Sequence, residues 1–269
     1  MAGVILTVLD QPTAADALLA ASHCLAELCE AKRINALLVR TPPEALLALS
    51  EEVLTAQHEA ALRDMEAARA KAVRAVFDAW AAALPPGLRT DWIDIDGISE
   101  LIVEERGRRA DWIVIERPYD YGTSWQALRA AMFATDRPVL LVPPNCTTAF
   151  GHRVAIAWRD DERATKAVLA AIRCLTRCER VYALAGMRDG TPQPQVPAIL
   201  LEHGIAAELH VLKIREVPFG AALLRKAHEL GADMLIMGAY QHSPLRELLL
   251  GGVTRHVMSH ADLPVLLRH

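Results

Sequence analysis

Apolar residues follow two alternating rhythms along this chain. Short, nearly continuous apolar runs rich in Val, Ile and Leu occupy residues 4–9, 34–39, 92–95, 112–115 and 139–142. Between them lie longer segments whose apolar positions recur at helical spacing, at 14–30, 46–84, 99–109 and 125–135. The first kind reads as strands buried on both faces, the second as helices that cover them. Strand and helix in strict alternation predict a parallel sheet wound with helices on either side, an α/β fold. Turn residues punctuate the pattern, among them Thr41-Pro42-Pro43 and Pro85-Pro86-Gly87.

The chain then runs through the same order again. Strands are predicted at 154–158, 181–184, 209–212, 234–237 and 265–267, and helices at 164–177, 197–203, 219–230 and 252–260. Two short stretches repeat closely. Arg109-Ala-Asp-Trp-Ile-Val-Ile is echoed by Gly231-Ala-Asp-Met-Leu-Ile-Met, and Asp136-Arg-Pro-Val-Leu-Leu by Asp262-Leu-Pro-Val-Leu-Leu. The proline-rich, polar segment from Pro143 to Thr148 is the natural linker. This predicts two domains, 1–146 and 149–269, the first with a longer middle helix. Two similar halves in one chain imitate a homodimer, so an internal pseudo-dimer is expected, with further self-association into a homodimer.

Composition narrows the class. The 269 residues are 52% hydrophobic and 23% charged, with a formal charge of −4. That is a globular balance, with no basic excess for nucleic acid or an anionic membrane. No apolar stretch approaches the ~18 residues that span a bilayer, and the N-terminus lacks the basic region of a signal peptide. The five cysteines, Cys24, Cys29, Cys146, Cys174 and Cys178, read as buried, reduced thiols, which with the missing leader points to the cytoplasm.

Residues 237–258 hold the most specific signal, MGAYQHSPLRELLLGGVTRHVM. Its spaced glycines, with Gly231-Ala-Asp and His260-Ala-Asp-Leu-Pro-Val-Leu-Leu, resemble the universal stress protein (UspA) family, and the half-repeat is similar to its tandem members. The resemblance implies two tandem doubly wound five-stranded parallel sheets. It also implies an ATP loop of Gly, two residues, Gly, nine residues, then Gly and Ser or Thr. Gly238 and Gly251 stand at the first and third positions, Gln241 replaces the second glycine, and Gly252 replaces the hydroxyl residue. The expected nucleotide site therefore comprises Gly238 and Ala239 at a strand end, Gly251, Gly252, Val253 and Thr254 opening a helix, and Asp160 near the first strand of that half. A helix N-terminus presents unpaired N–H groups and a positive dipole end to phosphate. The expected ligand is ATP or another adenine nucleotide, with Mg²⁺ only as its companion. Arg246 and Arg255 are possible cationic neighbours, and Arg159 takes the place where the family tends to have an aspartate.

The first half diverges. Asp10 ends its first strand as in nucleotide binders, but residues 116–122 read Glu-Arg-Pro-Tyr-Asp-Tyr-Gly in place of the glycine loop. Trp125-Gln126 stands where Gly251-Gly252 stands in the second half. This half is expected to bind no nucleotide. The resemblance implies a non-catalytic stress-response protein with protein partners. The alternatives are a nucleotide-free scaffold acting through dimerisation and, ranked last, a slow ATPase. No catalytic residue and no metal site is assigned: the pair His256/His260 lacks a third ligand, and Asp91, Asp94 and Asp96 fit a strand edge.

Overall fold

The computed structural model describes residues 3–42, 55–118, 123–144, 146, 149–214, 218–239 and 252–269. The chain divides into two compact units, Met1–Arg137 and Pro138–His269.

In unit 1, β1 (Gly3–Leu9), α1 (Pro12–Cys29), β2 (Ala31–Arg40), α2 (Ala56–Ala83), β3 (Arg89–Asp96), α3 (Ser99–Gly107), β4 (Trp112–Glu116) and α4 (Thr123–Phe133) follow one another. The strands are parallel in the order β3-β2-β1-β4. Chain progress runs from β1 outward to β3 and returns to the other side of β1. With right-handed crossovers this reversal sends the first two helices to one face and the next two to the other. The packing agrees, since α1 lies against α2 and α3 against α4. The centre of β1 and all but the last residue of β4 are buried, as continuous apolar strands require, whereas edge strand β3 keeps part of its surface.

Helix α2 starts where Thr55 caps it, its hydroxyl accepting from the His58 amide at 3.3 Å. Only Ala70, Val73 and Phe77 are buried along it, so its second half makes the packing. Phe77 meets Trp80 and Trp92 at centroid distances of 5.8 and 5.2 Å, and Arg74 lies over Trp92 at 5.3 Å. The predicted helix from residue 46 is thus described from Ala56 onward; residues 43–54 lie outside the described part.

Unit 2 holds β5 (Val139–Val142), β6 (Arg153–Trp158), α5 (Glu162–Leu175), β7 (Arg180–Met187), α6 (Ala198–Glu202), β8 (Glu208–Lys213), α7 (Phe219–Glu229), β9 (Met234–Gly238), α8 (Gly252–His260) and β10 (Val265–Arg268). Its parallel strands run β8-β7-β6-β9-β10, the order of unit 1 continued by a fifth strand. Strand β5 joins antiparallel to β10, with Val139 opposite Leu267 and Leu141 opposite Val265. A run of apolar residues does not reveal whether its neighbour will be parallel or antiparallel.

The sequence echo has a physical basis. The Asp111 amide donates to the Val4 carbonyl at 2.8 Å while its carboxylate accepts from the Val4 amide at 2.8 Å. Asp233 does the same with Arg153, its amide donating to the carbonyl at 2.9 Å, and it adds the amides of Gly151 and His152 at 2.8 and 3.1 Å. Each aspartate pins the start of its unit's first strand to the start of its fourth.

Cys29 and Cys174 are both fully buried, each in the core of its own unit. Cys178 is a thiol whose pKa burial pushes up to about 12, with the charge of Asp233 adding to the effect.

Candidate functional site

In a doubly wound sheet, ligands settle beyond the carboxyl ends of the strands at the point where strand order reverses. That point lies between β1 and β4 in unit 1 and between β6 and β9 in unit 2. The shared aspartate anchor makes Val4 equivalent to Arg153. Counting along the strands, Asp10 then matches Arg159 and Glu116 matches Gly238.

In unit 2, Gly238 ends β9 against the first turn of α5. A Cβ on it would lie 2.9 Å from the carbonyl carbon and the Cβ of Arg163, and 3.0 Å from the Ala164 nitrogen. Packing therefore demands glycine here whether or not a ligand binds. Ala239 is fully buried and its amide donates to the Arg268 carbonyl at 2.7 Å. That bond occupies the Ala239 N–H. Thr254 is buried on the inner face of α8, and Val253 is half-buried beside it. Gly252 differs: it is exposed at the start of α8, and among the described residues nothing stands within 4 Å of where its Cβ would be. Gly251, Gln241 and Arg246 lie outside the described residues.

Asp160 is exposed, and it is Asp161 that the fold engages. The Asp161 carboxylate caps α5 by accepting from the Ala164 amide at 2.9 Å, and it accepts from Arg159 Nε at 2.6 Å. Burial pushes the Asp161 carboxyl up, but the Ala164 amide and the Arg159 guanidinium together outweigh it and hold the group below its ordinary value. So the carboxylate at this strand end faces its neighbouring arginine.

Unit 1 fills the equivalent position with charge. Arg69 of α2, with 14% of its side chain exposed, reaches the ends of two strands. Its Nη1 donates to the Asp10 carbonyl at 2.5 Å and the Asp10 carboxylate at 3.1 Å. Its Nη2 donates to the Val39 carbonyl at 2.9 Å and to Glu66 at 2.7 Å, and Nε donates to Glu66 at 3.0 Å. Ser124, in the first turn of α4, donates to the other Asp10 oxygen at 3.0 Å. Trp125, the counterpart of Gly251, is half-buried on the same turn. Arg69 was missed because its only sequence signal, Glu66 one helical turn earlier, is common on exposed helix faces.

Glu116 sits half-buried at the end of β4. Burial pushes its carboxyl above the ordinary value, and the charge of Asp10 adds to the rise. An unfolded chain loses this proton near pH 4.5 while the folded one still holds it, so stability falls as pH rises above about 4.5 and stays lower beyond the folded value. Glu116→Gln is expected to remove that loss. In urea unfolding at pH 7 the variant should be more stable by a few tenths to about 1 kcal/mol, and the gain should vanish below pH 4.

Other singled-out groups have structural partners. Asp91 pairs with Arg33 at 2.6 Å, and Asp94 and Asp96 pair with Arg40 at 2.7 and 3.3 Å. His256 and His260 stack on each other at 4.2 Å between ring centroids. Among the described residues, no group of three or more His, Cys, Asp or Glu is placed to hold a metal ion, and no helix is long and apolar enough to cross a membrane.

Residues 145–269 match the model of the universal stress protein family. The chain carries a universal stress protein domain. The match covers unit 2 except its first strand, and so includes the glycine positions described above. Over the whole chain, the fold is similar to that of a universal stress protein from Archaeoglobus fulgidus DSM 4304, at 14% identity and a TM-score of 0.68, covering 98% of this chain and 95% of that one. A protein of unknown function from Pseudomonas aeruginosa PAO1 is also similar, at 16% identity and a TM-score of 0.60, covering 98% and 92%. At such identities the likeness shows the fold alone, and it extends the universal stress architecture to unit 1. No curated protein matches the chain.

Proposed function

We propose that this is a non-catalytic stress-response protein of the cytoplasm whose unit 2 binds ATP or another adenine nucleotide. Binding shifts a conformational or dimerisation equilibrium that partner proteins sense, and Mg²⁺ enters only with the nucleotide. The stress-response role rests on the universal stress domain at 145–269. The nucleotide reading rests on one observation: Gly252 opens α8 with no described residue within 4 Å of its missing Cβ, which leaves the helix N-terminus open to close approach from the described side. Cytoplasmic placement rests on the sequence.

Gly252 also offers a test by gain. A serine there restores the hydroxyl of the family pattern, and its Cβ meets none of the described residues. One neutral hydrogen bond contributes about 1 kcal/mol, so Gly252→Ser is expected to tighten nucleotide binding about fivefold. Titration calorimetry of nucleotide-stripped protein with ATP, ADP and AMP, with and without Mg²⁺, reads this directly. A site of micromolar affinity, lost in Gly251→Val and strengthened in Gly252→Ser, supports the reading. No heat at millimolar nucleotide in either the native chain or Gly252→Ser overturns it. The second reading, a nucleotide-free scaffold acting through self-association, then stands; the Ala239 amide already bonded to Arg268 and Asp161 already paired with Arg159 favour it.

A further inference from the structure

The two units share a strand order and an anchoring aspartate, yet they treat the strand-end crevice in opposite ways. Unit 2 brings glycines to it, whereas unit 1 brings a guanidinium. The acceptors around Arg69 come from three separate elements: the Asp10 carbonyl and carboxylate at the end of β1, the Val39 carbonyl at the end of β2, and Glu66 on α2. Asp10 is itself held from a fourth element by Ser124.

This acceptor set has a definite chemical preference. A guanidinium is planar and presents N–H groups from three nitrogens, and Nε, Nη1 and Nη2 of Arg69 are all used. An ammonium has a single nitrogen and cannot reach carbonyls on two strand ends and both carboxylates together. An anion would meet the carboxylates of Asp10, Glu66 and, at the next strand end, the half-buried Glu116 once Arg69 is gone.

We propose that the crevice of unit 1 is a guanidinium-binding site that the chain keeps filled with its own Arg69. The internal ligand closes the unit to nucleotides and ties the long helix α2 to the ends of β1 and β2. The proposal concerns unit 1 alone and does not depend on whether unit 2 binds a nucleotide.

The test is chemical rescue of full-length Arg69→Ala. Its unfolding temperature is expected to lie about 5 °C or more below that of the native chain. Low-millimolar methylguanidinium, at constant ionic strength, should recover a large part of that shift in the variant and move the native protein little. Methylammonium and ATP at the same concentration should recover none of it. Absence of rescue, equal rescue by methylammonium, or rescue by ATP would each overturn the proposal, the last by making the crevice a latent anion site. A second measurement needs no variant. The Nε proton of Arg69 should exchange with solvent far more slowly than that of exposed Arg74 on the same helix, and equal rates would also overturn it.

Discussion

Asp233→Ala is expected to lower the stability of unit 2 by about 3 kcal/mol. The carboxylate accepts from three successive backbone amides, Gly151, His152 and Arg153, at 2.8 to 3.2 Å, while the Asp233 amide donates to the Arg153 carbonyl. Hydrogen bonds to a charged group contribute about 1.5–3 kcal/mol each when buried, and less where water competes, as it does at His152 and Arg153. Alanine leaves three donors to find water at the start of a strand that must stay registered with β9. Its counterpart, Asp111, is exposed and accepts from a single amide, that of Val4. Asp111→Ala should therefore cost only about 1 kcal/mol, and that in unit 1. Urea unfolding followed by hydrogen exchange separates the units. Equal losses for the two substitutions, or a loss in the wrong unit, would show that these carboxylates are not the anchors described.

The same pair of aspartates shows how much of the fold the sequence carries. The echo of Ala-Asp before an apolar run announced the repeat, because the same bond pattern requires the same residue in both units. Continuous apolar runs announced strands covered on both faces, and all ten lie where the pattern placed them, nine of them lengthened by a residue or a few at their ends and the run 139–142 unchanged. What the pattern lacked was long-range pairing. Residues 139–142 pair antiparallel with β10, and no local feature of the run distinguishes that from a parallel edge. The site was less legible still. Glycine spacing located the strand end and the helix start, but spacing cannot tell which amides are already bonded, as at Ala239, or which of two adjacent aspartates will cap a helix. Arg69 was invisible because its partners Asp10 and Val39 are brought to it only by the parallel order of β1 and β2.

Alanine at Gly238 and alanine at Gly252 should have opposite consequences for the fold, although both glycines belong to one sequence motif. Gly238→Ala places a methyl 2.9 Å from the Arg163 backbone and 3.0 Å from the Ala164 nitrogen, distances at which backbone must move. Strand β9 is held by β6 on one side and β10 on the other, so it has little room to shift. Overpacking of this kind costs about 1–3 kcal/mol, and contact with backbone on a clamped strand argues for the upper end. Gly252→Ala meets none of the described residues within 4 Å, and its backbone lies outside the left-handed region. Removing glycine's freedom from the unfolded chain should leave stability unchanged or raise it by about 0.5 kcal/mol. Thermal and urea unfolding of the two variants, side by side, measure the contrast. If Gly238→Ala is neutral, the close approach of β9 to α5 is wrong. If Gly252→Ala is as damaging as Gly238→Ala, the open space at the start of α8 is wrong, and with it the observation that carries the nucleotide reading. The contrast also fixes how binding experiments must be read: loss of affinity in a Gly238 variant reports on packing, whereas a change at Gly252, where the fold is indifferent, reports on the ligand.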